Sequence, residues 1–198
     1  MIEDIFTNFN WVDILIIIVI VRIIYTGMKS NILVEFLALL GVVIANFVTL
    51  HYYSRFSDFL HDKLFMPEVV QDFFAFLLIW LTIYVLFKLI INGWTLIIKA
   101  QAHPTVDQWG GAILSFANSL FVAGMIFMLF LVSDNSYFQK IAKQSFTGFY
   151  LADFSPKAYQ YFYDNLVVKF FPNEQLNEKA FHVLEADGSK KKSHQKKK

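Results

Sequence analysis

Apolar positions along this chain fall into four long runs separated by short polar connections. Residues 11–27 read WVDILIIIVIVRIIYTG, and residues 32–52, 72–91 and 109–132 form three more runs. Each is close to the roughly 20 apolar residues that cross a bilayer as a helix. Trp11 stands at the head of the first run, where an aromatic ring anchors a span at the interface. Two of the runs carry small residues four apart: Gly41, Ala45 and Thr49, and then Gly111, Ser115, Ser119 and Ala123. That spacing stacks them on one helix face and lets a neighbouring backbone come close. The pattern predicts a bundle held by close helix crossings.

The polar connections carry their own periodicity. Phe56, Phe59, Leu60 and Leu64 recur at helical spacing among Arg55, Asp58, Asp62 and Lys63, which predicts a short surface helix ended by Pro67. Asn92-Gly93 predicts a break after the third run, leaving Lys88 near a helix end with its ammonium snorkelling to the interface. A turn over residues 102–108, containing His103-Pro104, leads into the fourth run. Beyond Ser133, Phe138, Ile141, Ala142, Ser145 and Phe149 mark one amphipathic stretch. Tyr159, Phe162, Tyr163, Leu166, Val167 and Phe170 mark another, opened by Ser155-Pro156 as N-cap and first helical residue and closed before Pro172. Packing on the bundle and lying in the membrane interface both fit such stretches. The expected fold is an all-α integral membrane protein, a four-transmembrane helix bundle with amphipathic helices in the second loop and the C-terminal tail. Its parts are a membrane domain at 1–133, an amphipathic region at 134–186 and a disordered Lys-rich tail at 187–198.

Composition agrees with a membrane domain. The chain is 57% hydrophobic and 17% charged, with mean hydropathy +0.49, against an apolar share of about 45–50% in soluble domains. The net charge of +1 conceals lysines at 190–192 and 196–198. That tail reads as solvated, with attraction to anionic lipid as the second reading; no nucleic acid partner is expected. The first ten residues carry Glu3 and Asp4 but no Lys or Arg, unlike a secretory signal, so the first helix is expected to be retained. The chain has no cysteine, which excludes disulfides, thiolate metal sites and a cysteine nucleophile.

Charges inside the runs are the candidate chemistry, because an ionised side chain at bilayer depth is costly unless it pairs or snorkels. Arg22 and Glu35 lie at similar distances from the turn between the first two runs, so an antiparallel hairpin would bring them face to face. They read as an ion pair that fixes the hairpin register or as groups lining a polar path. Asp13 suits the positive end of the first helix, with Asn46 about a turn away on the hairpin geometry. The five histidines show no metal-ligand spacing and read as solvated loop residues. There is no GxSxG and no glycine-rich phosphate loop. No catalytic residue, cofactor or metal is expected.

Asn10-Trp11-Val12-Asp13-Ile14 at the first run, Gly27 before a basic turn and Glu35, and Asp107 with Gly110-Gly111 at the fourth run resemble the colicin V production protein (CvpA) family of bacterial inner-membrane proteins. The family usually has a glycine where Asn31 stands and glycines where Ser115 and Ser119 stand. The resemblance implies a multi-pass protein of the inner (cytoplasmic) membrane, acting in toxin production and export and in envelope homeostasis, without enzymatic activity. The lipid bilayer, further copies of the chain and envelope transport proteins are the expected partners. A channel or proton-coupled transporter lined by Asp13, Arg22 and Glu35 is one alternative, and a structural membrane scaffold is another. Lys and Arg are evenly divided between the two sides; the acidic N-terminal segment and the basic first turn predict both termini outside the cytoplasm.

Overall fold

The computed structural model describes residues 9–61, 63, 67–97, 104–133 and 135–185, and all the regular structure among them is helical. Four helices form the bundle: α1 (Trp11–Gly27), α2 (Ile32–His61), α3 (Glu68–Ile97) and α4 (Pro104–Val132). The last three are long and apolar enough to cross a membrane. α1 has 17 residues, which at a rise of about 1.5 Å per residue is about 25 Å. Along it, Val12 and Ile16 are buried while Ile14, Ile17, Ile18 and Val21 face out of the bundle.

The helices pack in the order α1, α4, α2, α3. The first hairpin is therefore not a pair of packed neighbours, because α4 lies between its arms. The cause is the small-residue face of α4, which takes α1 on one side and α2 on the other. α3 packs along α2 and much of it is exposed, including Leu78, Leu81, Val85, Leu86, Leu89 and Ile90. Lipid is the solvent that such a surface suits.

Several boundaries differ from the sequence expectation. α2 continues unbroken to His61, so Phe56, Phe59 and Leu60 belong to its last turns and not to a separate surface helix. Its polar end is buried on one side, where Tyr53, Ser54 and Ser57 are covered by the rest of the chain. Pro67 precedes α3, its carbonyl accepting from the Val70 and Gln71 N–H groups. α3 runs through Asn92-Gly93 to Ile97; a helical glycine costs only about 1 kcal/mol relative to alanine, less than opening backbone hydrogen bonds in an apolar setting. Lys88 is thus nine residues from the helix end instead of near it. Pro104 takes the first position of α4, and Gly110-Gly111 lie inside that helix. The connection at 98–103 and the Lys-rich tail at 187–198 lie outside the described residues.

After α4 come α5 (Ser136–Gln144), α6 (Phe146–Leu151), α7 (Phe154–Phe162), a π-helical segment Tyr163–Val167, α8 (Val168–Phe170) and α9 (Lys179–Glu185). The stretch expected as one helix over 138–149 breaks at Ser145. Its extended backbone caps α6, its hydroxyl accepting from Gly148 N–H and donating to the Ala142 carbonyl. Ser155 does not cap α7, which begins at Phe154; it is buried against Gly124, where a Cβ would overlap its hydroxyl. This region closes one end of the bundle. Tyr159 and Ala180 enter a core with Leu50, Tyr53, Phe76, Met125, Met128 and Leu131, and Ala142 joins Val12, Ile16, Ala123 and Phe127. α5, α6, α7 and α9 therefore pack on the bundle, whereas Leu166, Val168, Phe170 and Phe171 are exposed.

Candidate functional site

The residues of the turn motif meet where the end of α1, the start of α2 and the start of α4 converge. A Cβ on Gly27 would overlap the Ser115 side chain, and one on Gly111 would overlap the Gly27 carbonyl. Only glycine allows this approach. Gly110 is pressed in the same way against Ile32. Asp107 Oδ1 accepts the Ile32 N–H at 3.2 Å and Asn31 Oδ1 accepts the Leu33 N–H at 2.9 Å, so two side chains cap the orphan donors of α2. The Asn31 side chain is thus used to cap α2.

Glu35, 8% exposed, accepts the Ser115 hydroxyl at 2.6 Å. It forms no ion pair with Arg22, since the arms of the hairpin do not pack on each other. The two nevertheless line one cleft of about 540 Å³ among α1, α2 and α3, with Lys88, Tyr84, Thr26 and Asn118. Arg22 and Lys88 are exposed at its margin, whereas Asn118 is buried with its Oδ1 unpartnered among the described residues. Asn46 Nδ2 and Thr49 Oγ1 are also buried and unpartnered. Gly41 abuts α3, where a Cβ would lie 2.7 Å from Phe87 Cγ. Ala45 and Thr49 are fully covered, as are Ser119 and Ala123 on α4. Both small-residue ridges are consumed inside a single chain.

Asp13 is fully buried and lies away from this cleft. One oxygen takes the Thr147 N–H at 2.7 Å and hydroxyl at 2.5 Å; the other takes the Asn10 N–H at 2.8 Å and the Phe146 N–H at 3.3 Å. It closes the capping box of α1 and holds the start of α6 at the same time. Asn46 is not a partner. The Asn10 amide adds a bond to the Ile141 carbonyl at 3.0 Å.

A second polar cluster was not signalled by the sequence. His51, expected as a solvated loop residue, is 3% exposed within α2. The Tyr159 hydroxyl accepts the Asn177 N–H at 3.0 Å and lies 2.9 Å from His51 Nδ1; His51 Nε2 lies 3.3 Å from Glu174. This chain of bonds is consistent when Tyr159 donates to Nδ1 and the Nε2 proton points to Glu174. Arg55 donates to the same carboxylate at 2.8 Å, and the Asn177 amide donates to the Leu50 carbonyl at 2.6 Å. The Arg55 guanidinium holds the Glu174 carboxyl below the usual carboxylate range, while burial pushes the Tyr159 phenol up to about 12. Neither the cluster nor the rest of the described residues contains a group of His, Asp and Glu arranged to hold a metal. The arrangement ties the segment before α9 to the end of α2.

No curated protein and no solved structure matches the chain. A family model described as colicin V production protein matches residues 12–156, from the second residue of α1 to the first turn of α7. The match takes in Asp13 and Thr147, the Gly27–Gly111 crossing and the Ser155–Gly124 contact within one stretch. With well over half of its length matched in this way, the chain belongs to the colicin V production protein family.

Proposed function

We propose that this chain is a non-enzymatic component of the bacterial inner membrane that serves as a partner of an envelope transport system, in colicin V type toxin export and in envelope homeostasis. The observation that carries the reading is the use made of its carboxylates. Asp13, Glu35 and Asp107 each accept hydrogen bonds from a different helix and hold α1, α2, α4 and α6 together. Their chemistry is spent on packing, as in a bundle whose role is to present surfaces. On this reading α1 is a fourth, short span and both termini lie outside the cytoplasm. Because the ridges are covered, self-association would use another surface, and the exposed apolar side of α3 offers one.

The test is rescue in a bacterium depleted of this protein, read as colicin V secretion and as growth in the presence of a membrane-active detergent. Wild type restores both and Gly111→Leu, which blocks the α1–α4 crossing, restores neither; failure of wild type to restore secretion would remove the export role. A second reading, a channel or proton-coupled transporter, is favoured by Asn118, which lines the Arg22 and Glu35 cleft and whose buried Oδ1 has no partner among the described residues. Purified protein in liposomes separates the two. The partner role predicts no ion or proton flux above empty liposomes, and flux abolished by Glu35→Gln would put the transporter first.

A further inference from the structure

We propose that the cleft among α1, α2 and α3 binds the headgroup of a phospholipid, with the phosphate held by Arg22 and Lys88 and a donor-bearing end held by Glu35 and Asn118. Two cations and one carboxylate line this cleft, so it carries a net charge of about +1 with the acid ionised. Neither cation has an ion-pair partner among the described residues, unlike Arg55 and Lys157. An unpaired Arg and Lys near bilayer depth need an anion or water, and phosphate suits the planar guanidinium through paired N–H bonds. The floor has the opposite character. Glu35 gives one oxygen to Ser115, leaving the other to accept, and the buried Oδ1 of Asn118 has no donor among the described residues.

A bare phosphate uses only the first half of this arrangement. A phosphate joined to an ammonium or a hydroxyl uses both halves, as in phosphatidylethanolamine and phosphatidylglycerol. The acyl chains have a place as well, because Val85 and Leu89 are exposed on α3 on either side of Lys88 in sequence. Arg22 lies five residues before the end of α1 and Lys88 nine before the end of α3, and both are exposed, so their long side chains can extend along the helices towards the headgroup layer.

The experiment is native mass spectrometry of the full chain purified in detergent. It is titrated separately with phosphatidylethanolamine, phosphatidylglycerol and phosphatidylcholine, and then with inorganic phosphate in large excess as competitor. The first two lipids bind more tightly than phosphatidylcholine, whose choline offers no N–H or O–H donor. Lys88→Gln, at an exposed position that leaves packing intact, weakens them by about tenfold, as expected for one charge-assisted contact, and Arg22→Gln does likewise. Arg22→Lys, which keeps the charge but not the paired N–H bonds, binds between wild type and Arg22→Gln, which separates loss of charge from loss of fold. Equal binding by Lys88→Gln and wild type overturns the site. Displacement of the lipid by phosphate assigns the cleft to a free anion and overturns the lipid, and equal binding of phosphatidylcholine overturns the role of Glu35 and Asn118.

Discussion

Asp13 is the side chain through which most of the N-terminal packing is expressed. A buried carboxylate is costly unless its lone pairs are used, and here four donors reach it from three residues, Asn10 at its own helix start and the distant Phe146 and Thr147. Asp13→Ala leaves the N–H groups of Asn10, Phe146 and Thr147 without an acceptor. The expected loss is roughly 2–4 kcal/mol, read as a lowered midpoint of denaturant unfolding in micelles. Thr147→Val removes one hydroxyl and costs about 1 kcal/mol. The two losses are less than additive in a double-mutant cycle because they share a bond; additive losses would show that the contact contributes nothing. Asp13 stands in the first turn of α1, and its partner Thr147 lies 134 residues further on. No local spacing encodes such a contact. The same holds for Glu35, whose partner Ser115 sits 80 residues away on the ridge of small residues.

Helix existence and type were legible because hydrophobic length and four-residue spacing are local properties. Helix ends were not, wherever a tertiary contact outweighed a local breaker. Asn92-Gly93 is a turn signal in water, yet α3 passes through it, and α2 extends into a polar stretch because the C-terminal helices cover it. Glycines separate these effects experimentally. At Gly93 a Cβ meets nothing within 4 Å, so Gly93→Ala should raise stability by up to about 1 kcal/mol through helix propensity alone. At Gly27 and Gly111 the same added methyl overlaps a facing helix, and each substitution should lower stability by about 1–3 kcal/mol. Unfolding of the three variants side by side checks this. A stabilised Gly111→Ala would mean that α1 and α4 do not cross as closely as described. Gly111, Ser115, Ser119 and Ala123 are buried on α4, which lies between α1 and α2.

The bundle and its C-terminal helices form a continuous core in which Tyr159 and Ala180 contact α2 and α4 residues. The fall in hydropathy at 133 does not mark an end of packing, since Tyr159 and Ala180 share that core. The hold of the C-terminal region on α2 depends on a carboxylate, and this gives it a sign with pH. Glu174 has its pKa lowered first by the hydrogen bond from Arg55 and then by that from His51. A carboxyl with a depressed folded pKa contributes stability that is fully present above its unfolded value and is lost as pH falls through the folded one. Acidification below the ordinary carboxylate range should therefore loosen residues 171–178 before the spans respond. Hydrogen exchange followed by mass spectrometry reads this directly, as faster exchange at Asn177, whose N–H is held by Tyr159, with exchange in α4 unchanged. Glu174→Gln keeps the shape but not the charge, so it should show the acid behaviour already at neutral pH and lose most of its own pH dependence. Equal protection of Asn177 in the two proteins at neutral pH would mean that Tyr159 and the Asn177–Leu50 bond hold the segment without the ion pair.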